Sequence, residues 1–254
     1  MNTKRLMIPM VFLLSASAAT TGTSRPATDV CTQVLGSEVC TWVEMDGDRV
    51  VAMGADIPLS LIEGVPTDME MAWPPKALAA VPLPEAARSA LGIDHMAINW
   101  EAHGHPPASF LTRHFDFHFY SVPRDDVLAI DCADASKPST LPPGYALPDI
   151  AVPGLGMLVG LCVPHMGMHA MPEADVSATV PFDASMILGY YGGRPVFFEP
   201  MVSQELLLER ADFTLPMPPV SGLLSGVRYP SAFRAEYDGA ADAYRLVFGG
   251  FGDG

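Results

Sequence analysis

The stretch His114-Phe115-Asp116-Phe117-His118-Phe119-Tyr120 decides how this chain folds. It alternates ionisable and aromatic residues, and the side chains of a β-strand point alternately to opposite faces. His114, Asp116 and His118 therefore share one face, and the three phenylalanines share the other. An aromatic face of this kind packs on an apolar core. The stretch thus predicts a buried strand whose second face carries polar groups.

The rest of the chain favours short strands over long helices. It contains 25 prolines and 22 glycines, which interrupt helices and limit the length of regular elements. Alternation and turn signals predict further strands at residues 38–45, 49–54, 95–101, 176–182, 186–191, 195–202, 233–237 and 244–248. They also predict short helices at 84–91, 123–130 and 203–210, and a long loop at 133–156. We predict a mostly β protein, with one β-sandwich or barrel-like domain over residues 30–254.

The N-terminus has the pattern of a secretory signal peptide. Lys4 and Arg5 precede the apolar run Leu6 to Leu14, and Ala16-Ser17-Ala18 offers small residues for cleavage. This run is too short for a membrane span, which needs about 20 residues. We predict a signal peptide at residues 1–18, a disordered leader at 19–29, and a secreted or periplasmic protein without membrane insertion after signal removal.

The charge of the chain excludes one class of partner. The mature chain would keep 12 of the 14 basic residues and all 29 acidic ones, which gives a net charge of 12 − 29 = −17. Such a surface repels phosphate backbones and attracts cations. Nucleic-acid binding is therefore not expected.

The four cysteines predict disulfide bonds, because the chain is expected to be exported. Cys31 and Cys40 flank the turn signal Leu35-Gly36-Ser37, so they can face each other across a hairpin. That leaves Cys132 to pair with Cys162. The alternative is a free Cys162 acting as a thiolate metal ligand, because Cys162 and His165 have the spacing that begins a blue-copper loop.

All seven histidines lie between His95 and His169. Neutral imidazole is a common protein ligand for zinc, copper, iron and nickel. His114 and His118 are four residues apart on a strand, about 13 Å at Cα, so one metal ion reaches both only from opposite sides or across a bulge. His103 and His105 form a closer pair, about 7 Å apart.

Two further groups extend the cluster. His165 and His169 lie near each other around Gly167. Glu199 stands among aromatic residues, where a carboxylate is costly to bury unless it is paired or coordinated. No His-Glu-x-x-His, Gly-x-Ser-x-Gly or phosphate-binding loop motif is present in the sequence.

Four motifs resemble an uncharacterised domain family of exported bacterial proteins, whose namesake is a Thermus protein of the sigma-E stress regulon. They are Gly104-His105-x-Pro107, the strand at 114–120, Met166-Gly-Met-His169, and the run from Gly189 to Met201 with Phe198-Glu199-Pro200. The resemblance covers about residues 37–212. It implies a β-rich, oligomeric domain and supplies no activity. Ala170 stands where the family often has a bulky aromatic residue.

The resemblance and the spacing together give a predicted ligand set. His105, His114, His118, His169 and Glu199 match recurrent positions of the family, and we predict that they converge on one divalent metal ion. Asp116, His103 and His165 are predicted to support these ligands. Zinc is our first choice of metal, with iron, manganese or copper as alternatives.

The sequence leaves the activity open. A metal ion with a free coordination position would make the protein a hydrolase or oxygenase, with a bound water as nucleophile. The alternative is a non-catalytic, homo-oligomeric envelope or assembly protein with a structural metal. A histidine network without any metal is the third possibility.

Overall fold

The computed structural model describes residues 29–70 and 72–252. The predicted signal peptide and residues 19–28 of the predicted leader lie outside the described residues. Within them, the strands in chain order are β1 (Val30–Val34), β2 (Ser37–Asp46), β3 (Arg49–Pro58), β4 (Ala79–Pro82), β5 (His95–Glu101), β6 (His114–Tyr120), β7 (Tyr145–Ala146), β8 (Ile150–Val152), β9 (Gly156–Leu158), β10 (Met168–Pro172), β11 (Ala184–Tyr191), β12 (Arg194–Ser203), β13 (Phe213–Leu215), β14 (Ala232–Asp238) and β15 (Ala243–Gly249).

Helices in the described residues are short. They are α1 (Leu59–Gly64), α2 (Glu85–Leu91), α3 (Arg124–Leu128), α4 (Glu173–Ser177) and α5 (Gln204–Leu208), with 3₁₀ turns at Ala108–Phe110 and Val159–Leu161. None of them is long and apolar enough to cross a bilayer.

The strands form two large antiparallel sheets. One has the order β1-β2-β3-β15-β14-β13, and the other has the order β4-β5-β6-β12-β11-β10-β7. β8 and β9 pair separately as a small hairpin. The predicted mostly β fold is confirmed, and its form is the sandwich rather than a closed barrel.

The alternating pattern of β6 places it between two apolar layers. Phe115, Phe117 and Phe119 belong to the main core, which also contains Met53 and Phe248 of the six-stranded sheet. The sandwich core therefore lies on the phenylalanine side of β6.

The second face of the seven-stranded sheet is covered by connecting segments rather than by another sheet. Phe110, Leu161 and Phe182 come from these segments and pack with Ile187 and Phe197 of the sheet. His114, Asp116 and His118 point into this second layer, where all three are buried.

Most of the predicted elements are confirmed, including helix α2, which is followed by its C-cap Gly92. Helix α5 is also confirmed, and its N-cap Ser203 accepts a hydrogen bond from the Leu206 N–H. The strand predicted at 176–182 is wrong. Pro172 precedes the helix α4 there, and Glu173 and Asp175 in its first turn complement the helix dipole. Residues 133–156 are mostly loop as predicted, but they contain β7 and β8.

Both predicted disulfides are present. Cys31 and Cys40 are direct cross-strand partners in the β1–β2 hairpin, and Cys132 pairs with Cys162. The alternative of a free Cys162 thiolate is therefore wrong. Paired cysteines are typical of oxidising compartments such as the periplasm or the extracellular space.

Candidate metal centre

Two groups of possible metal ligands lie on the covered face of the seven-stranded sheet. The inner trio consists of His118, His169 and Glu199, all buried. The outer trio consists of His105, His114 and Asp116, of which His105 is partly exposed. In each trio, the possible ligand atoms lie within 4.8 Å of one another. A third cluster among the described residues, around Cys31, is excluded because its cysteines form a disulfide.

Three strands bring the inner trio together. His118 lies on β6, Glu199 on the neighbouring β12, and His169 on β10, two strands further along the sheet. Nε2 of His118 lies 3.5 Å from Oε2 of Glu199, without a hydrogen bond between them. Among the described residues, both ring nitrogens of His118 and this Glu199 oxygen lack any hydrogen-bond partner. Burying such atoms unpaired costs about 1–3 kcal/mol each.

A backbone carbonyl group holds the ring of His169 in position. Its Nδ1–H donates to the carbonyl of Leu161 over 3.0 Å. A carbonyl only accepts, so the neutral ring keeps its proton on Nδ1 and a lone pair on Nε2. This arrangement is typical of histidines that bind metals, because the backbone partner sets both the tautomer and the ring orientation.

Phe197 forms the apolar wall of the inner trio. Its ring centroid lies 4.8 Å from that of His118 and 5.2 Å from that of His169. The ring occupies the space above Gly189, where an added Cβ would come within 2.0 Å of ring atoms. Gly189 is also the cross-strand partner of both His169 and Phe197. The absence of a side chain at Gly189 therefore allows the ring of Phe197 to contact the ring of His169.

Burial governs the protonation of the inner trio. It lowers the pKa of His118 to about 3 and also lowers the pKa of His169. Burial raises the pKa of Glu199 well above its ordinary value, and the charges of Asp116 and Glu101 add to this effect. Without a cation, burial therefore favours the neutral forms of all three groups.

The outer trio joins β6 to the segment that follows β5. Nε2 of His114 lies 3.1 Å from Nε2 of His105 and 3.2 Å from Oδ1 of Asp116. The contact with Asp116 becomes an ion pair when His114 is protonated, and its direction lies outside hydrogen-bond geometry. Nδ1–H of His114 donates to the carbonyl of Thr112, and Nδ1–H of His105 donates to that of Pro106. Both Nε2 atoms therefore face each other.

Gly104 lets the two histidines of the outer trio approach. Its φ of +65° is in the left-handed region that glycine adopts easily. A Cβ at this position would lie 2.2 Å from the carbonyl oxygen of Phe110 and 2.7 Å from that of Thr112. The Thr112 oxygen is the same atom that accepts the hydrogen bond from Nδ1–H of His114. Close packing at Gly104 thus sets the position of both rings.

The charges of the outer trio are complementary. Burial alone would lower the pKa of His114, but the Asp116 carboxylate raises it overall. Burial alone would raise the pKa of Asp116, but His114 lowers it overall. Burial lowers the pKa of His105 to about 4, and the charge of His114 adds to the effect. A proton on His114 Nε2 can therefore be shared with His105 beside a charged Asp116.

The donor sets fit a transition metal. Two imidazoles and one carboxylate are the ligands of several zinc enzymes and of non-haem iron sites. Ligands about 2.0–2.1 Å from a zinc ion are separated by about 3.3 Å in a tetrahedral site. The separations of His105 from His114, His114 from Asp116 and His118 from Glu199 are 3.1, 3.2 and 3.5 Å, near this value. The other ligand atoms of each trio lie within 4.8 Å of one another.

The predicted site residues do not form one group. All five predicted ligands are present, but the structure divides them between two trios. Asp116 belongs to the outer trio instead of only supporting a ligand. His103 and His165 lie at the surface outside both trios. A strand separates side chains at positions i and i+4 too widely for His114 and His118 to share one ion, and the structure shows no bulge in β6.

Two polar residues on the same face were missed. Asn99 and Glu101 are the cross-strand partners of Asp116 and His114. Burial raises the pKa of Glu101 to about 8, and the charge of Asp116 adds to this. Side chains of β5 alternate between the two faces of the sheet, which places Asn99 and Glu101 on the face away from Met96, Ile98 and Trp100. The alternation that located His114 on its face could therefore also have located Asn99 and Glu101.

A surface cleft of about 520 Å³ is lined by residues that are close to the outer trio in the sequence, including His103, Thr112 and Arg113. Gln204 and Glu205 also line this cleft. No member of either trio lines this cleft. The histidine clusters, rather than the cleft, are therefore our candidate site.

Comparison with known proteins adds no relative to this description. No family model, curated protein or solved structure matches the chain. The functional argument therefore depends on the geometry of the two trios.

Proposed function

We propose that this chain is an exported metal-binding protein whose inner trio holds one divalent metal ion. A single observation carries the proposal. Nε2 of His118 and Oε2 of Glu199 lie 3.5 Å apart in a buried site, and neither has a hydrogen-bond partner among the described residues. A cation between these atoms would bond both, and would remove the cost of burying them unpaired.

Zinc is the metal we propose first. Imidazole and carboxylate ligands also suit iron and manganese. The copper alternative is less well supported, because Cys162 is in a disulfide and offers no thiolate. The two disulfides and the predicted signal peptide support an exported location.

Three protein ligands leave a coordination position for a water or an anion. This ligand number is typical of catalytic zinc sites, whereas structural zinc sites have four protein ligands. In such a site, Phe197 would exclude water from one side, and Leu161 would hold the His169 ring.

A structural ion is the second candidate, and the burial of the inner trio favours it. His118 and Glu199 are each about 1% exposed. An ion there would tie β6, β12 and β10 together without meeting any solute. Cobalt substitution separates the two candidates. Added azide shifts the visible spectrum of an open Co²⁺ site and leaves that of a closed site unchanged.

Elemental analysis of the purified mature protein tests metal binding itself. We expect a stoichiometric transition metal at the inner trio of the wild type, and one equivalent less in both His118→Ala and His169→Ala. His165→Ala is the matched control, because His165 is exposed and lies four residues from His169. Equal metal contents in all four proteins would reject the proposal.

A further inference from the structure

The outer trio poses a separate problem of charge. Nδ1 of His105 and Nδ1 of His114 both donate to backbone carbonyls. In neutral rings, both Nε2 atoms would then carry lone pairs, and these atoms lie 3.1 Å apart. Two lone pairs at this distance repel each other, so a positive charge must lie between or beside them. Either a proton or a metal ion meets this requirement.

The third member of the trio points to a metal ion as well as to a proton. Oδ1 of Asp116 lies 3.2 Å from Nε2 of His114 and lacks a well-directed hydrogen bond, although Asp116 is only 4% exposed. A single shared proton leaves this oxygen without a bond. A metal ion would accept both Nε2 lone pairs and this oxygen at once.

We propose that the outer trio is a second divalent-metal site, in which a transition-metal ion replaces the proton shared by His105 and His114. This inference goes beyond the proposed function, because its ligands are three different residues. The outer site does not require the inner site to be filled.

The surroundings make the outer ion the more exchangeable of the two. His105 is partly exposed and lies on a connecting segment, whereas all three residues of the inner trio lie on strands.

Metal stoichiometry tests the second site directly. The mature chain is stripped with a chelator and titrated with Zn²⁺ in a calorimeter, and bound metal is then counted by elemental analysis. We expect two ions per wild-type chain, with the weaker one bound at least about tenfold less tightly. His105→Ala should bind one ion and lose the weaker step, and His103→Ala should still bind two.

His103 is a matched control, because it is exposed and lies two residues from His105. Asp116→Asn is the second variant, and it should also lose the weaker step. Circular dichroism and thermal unfolding verify that each variant is folded before it is titrated.

The outcomes separate the inference from the proposed function. One ion in the wild type, retained in His105→Ala and lost in His169→Ala, would overturn the second site and leave the proposed function intact. One ion lost in His105→Ala but retained in His169→Ala would support the outer site and overturn the inner one. An absence of metal in every protein would overturn both.

Discussion

The inner and outer trios contain the same types of ligand but differ in how their polar atoms are bonded in the absence of a metal ion. Each has two imidazoles and one carboxylate on the covered face of the seven-stranded sheet. In the outer trio, the carboxylate of Asp116 favours a positive charge on His114. One proton shared between His114 and His105 then bonds both Nε2 atoms. In the inner trio, burial lowers the pKa of His118 and raises that of Glu199, and among the described residues both ring nitrogens of His118 and Oε2 of Glu199 lack a hydrogen-bond partner.

The difference shows that ligand identity alone does not define a metal site. The important question is which charge state each group adopts without the metal. A trio that is stable with a proton exchanges that proton for a metal reluctantly, whereas a trio with unpaired atoms gains most from a cation. The two carboxylates are therefore the residues with which to test the comparison.

The largest effect is expected for Asp116→Asn in the metal-free protein. The substitution removes the negative charge that stabilises protonated His114 inside the sheet. Breaking a buried ion pair from one side costs about 3–5 kcal/mol. We therefore expect the free energy of unfolding in urea, measured with a chelator at pH 7, to fall by an amount of this order. An unchanged free energy of unfolding would show that the outer trio is uncharged.

Glu199→Gln should change stability in the opposite direction. Burial favours the neutral form of its carboxyl group, which has to gain a proton to reach that form, whereas an amide is already neutral. We expect the metal-free variant to be more stable than the wild type by about 1–3 kcal/mol, while its affinity for Zn²⁺ falls by at least about 100-fold. The exposed Glu205→Gln is the matched control. A loss of stability in Glu199→Gln would mean that the carboxyl has a structural partner.

The dependence of stability on pH sharpens the same contrast. Glu199 has a raised pKa, so the folded metal-free chain holds a proton that the unfolded chain releases above about pH 4.5. Its contribution to stability therefore declines as the pH rises above that value. His114, with a raised pKa, contributes stability that is lost as the pH rises above 6.5. The buried His118 acts in the opposite sense, because its lowered pKa makes folding less favourable as the pH falls below 6.5.

Above pH 6.5, Glu199 and His114 both make the folded chain less stable as the pH rises. We expect the stability of the metal-free wild type to fall with rising pH by up to about 1.4 kcal/mol per pH unit for each proton released. Glu199→Gln should show a shallower slope, because only His114 and Glu101, whose pKa is raised to about 8, still contribute. Urea titrations between pH 6.5 and 8.5 measure both slopes, and identical slopes would assign the whole effect to groups other than Glu199.

Local periodicity predicted most of the sheet. The alternation in β6 identified its two faces, and the glycines at 192 and 193 marked the turn between β11 and β12. The strand expected at 176–182 failed because Val176 and Phe182 resemble strand residues, while Pro172 and the acidic residues after it begin a helix.

The site was harder to predict because it depends on sheet order. The sequence predicted which residues would converge, but it could not show that β11 separates β10 from β12, or that the segment after β5 folds back over β6. These long-range placements put His169 with His118 and put His105 with His114. They also explain why the predicted ligands form two groups instead of one.

The smallest expected effect on Zn²⁺ binding comes from the Cys132–Cys162 disulfide, and it acts on only one trio. Cys162 follows Leu161, whose carbonyl holds the His169 ring. Without the disulfide, the segment is less firmly held and the ring less well oriented. We expect a Cys132→Ala/Cys162→Ala variant to bind the inner Zn²⁺ about tenfold more weakly, the lower end of the loss caused by removing an orienting partner. Zn²⁺ binding at the outer trio should not change.

The second disulfide supplies the control for this prediction. Cys31–Cys40 closes a hairpin of the six-stranded sheet, on the far side of the sandwich core from both trios. In the chain-entropy model, removing the Cys31–Cys40 link costs about 2.6 kcal/mol of stability, and removing the Cys132–Cys162 link costs about 3.6 kcal/mol. Both variants therefore lose stability to a similar degree, but only the Cys132–Cys162 variant should lose inner-site affinity. Equal Zn²⁺ affinities in the two variants would show that Leu161 holds His169 without help from the disulfide.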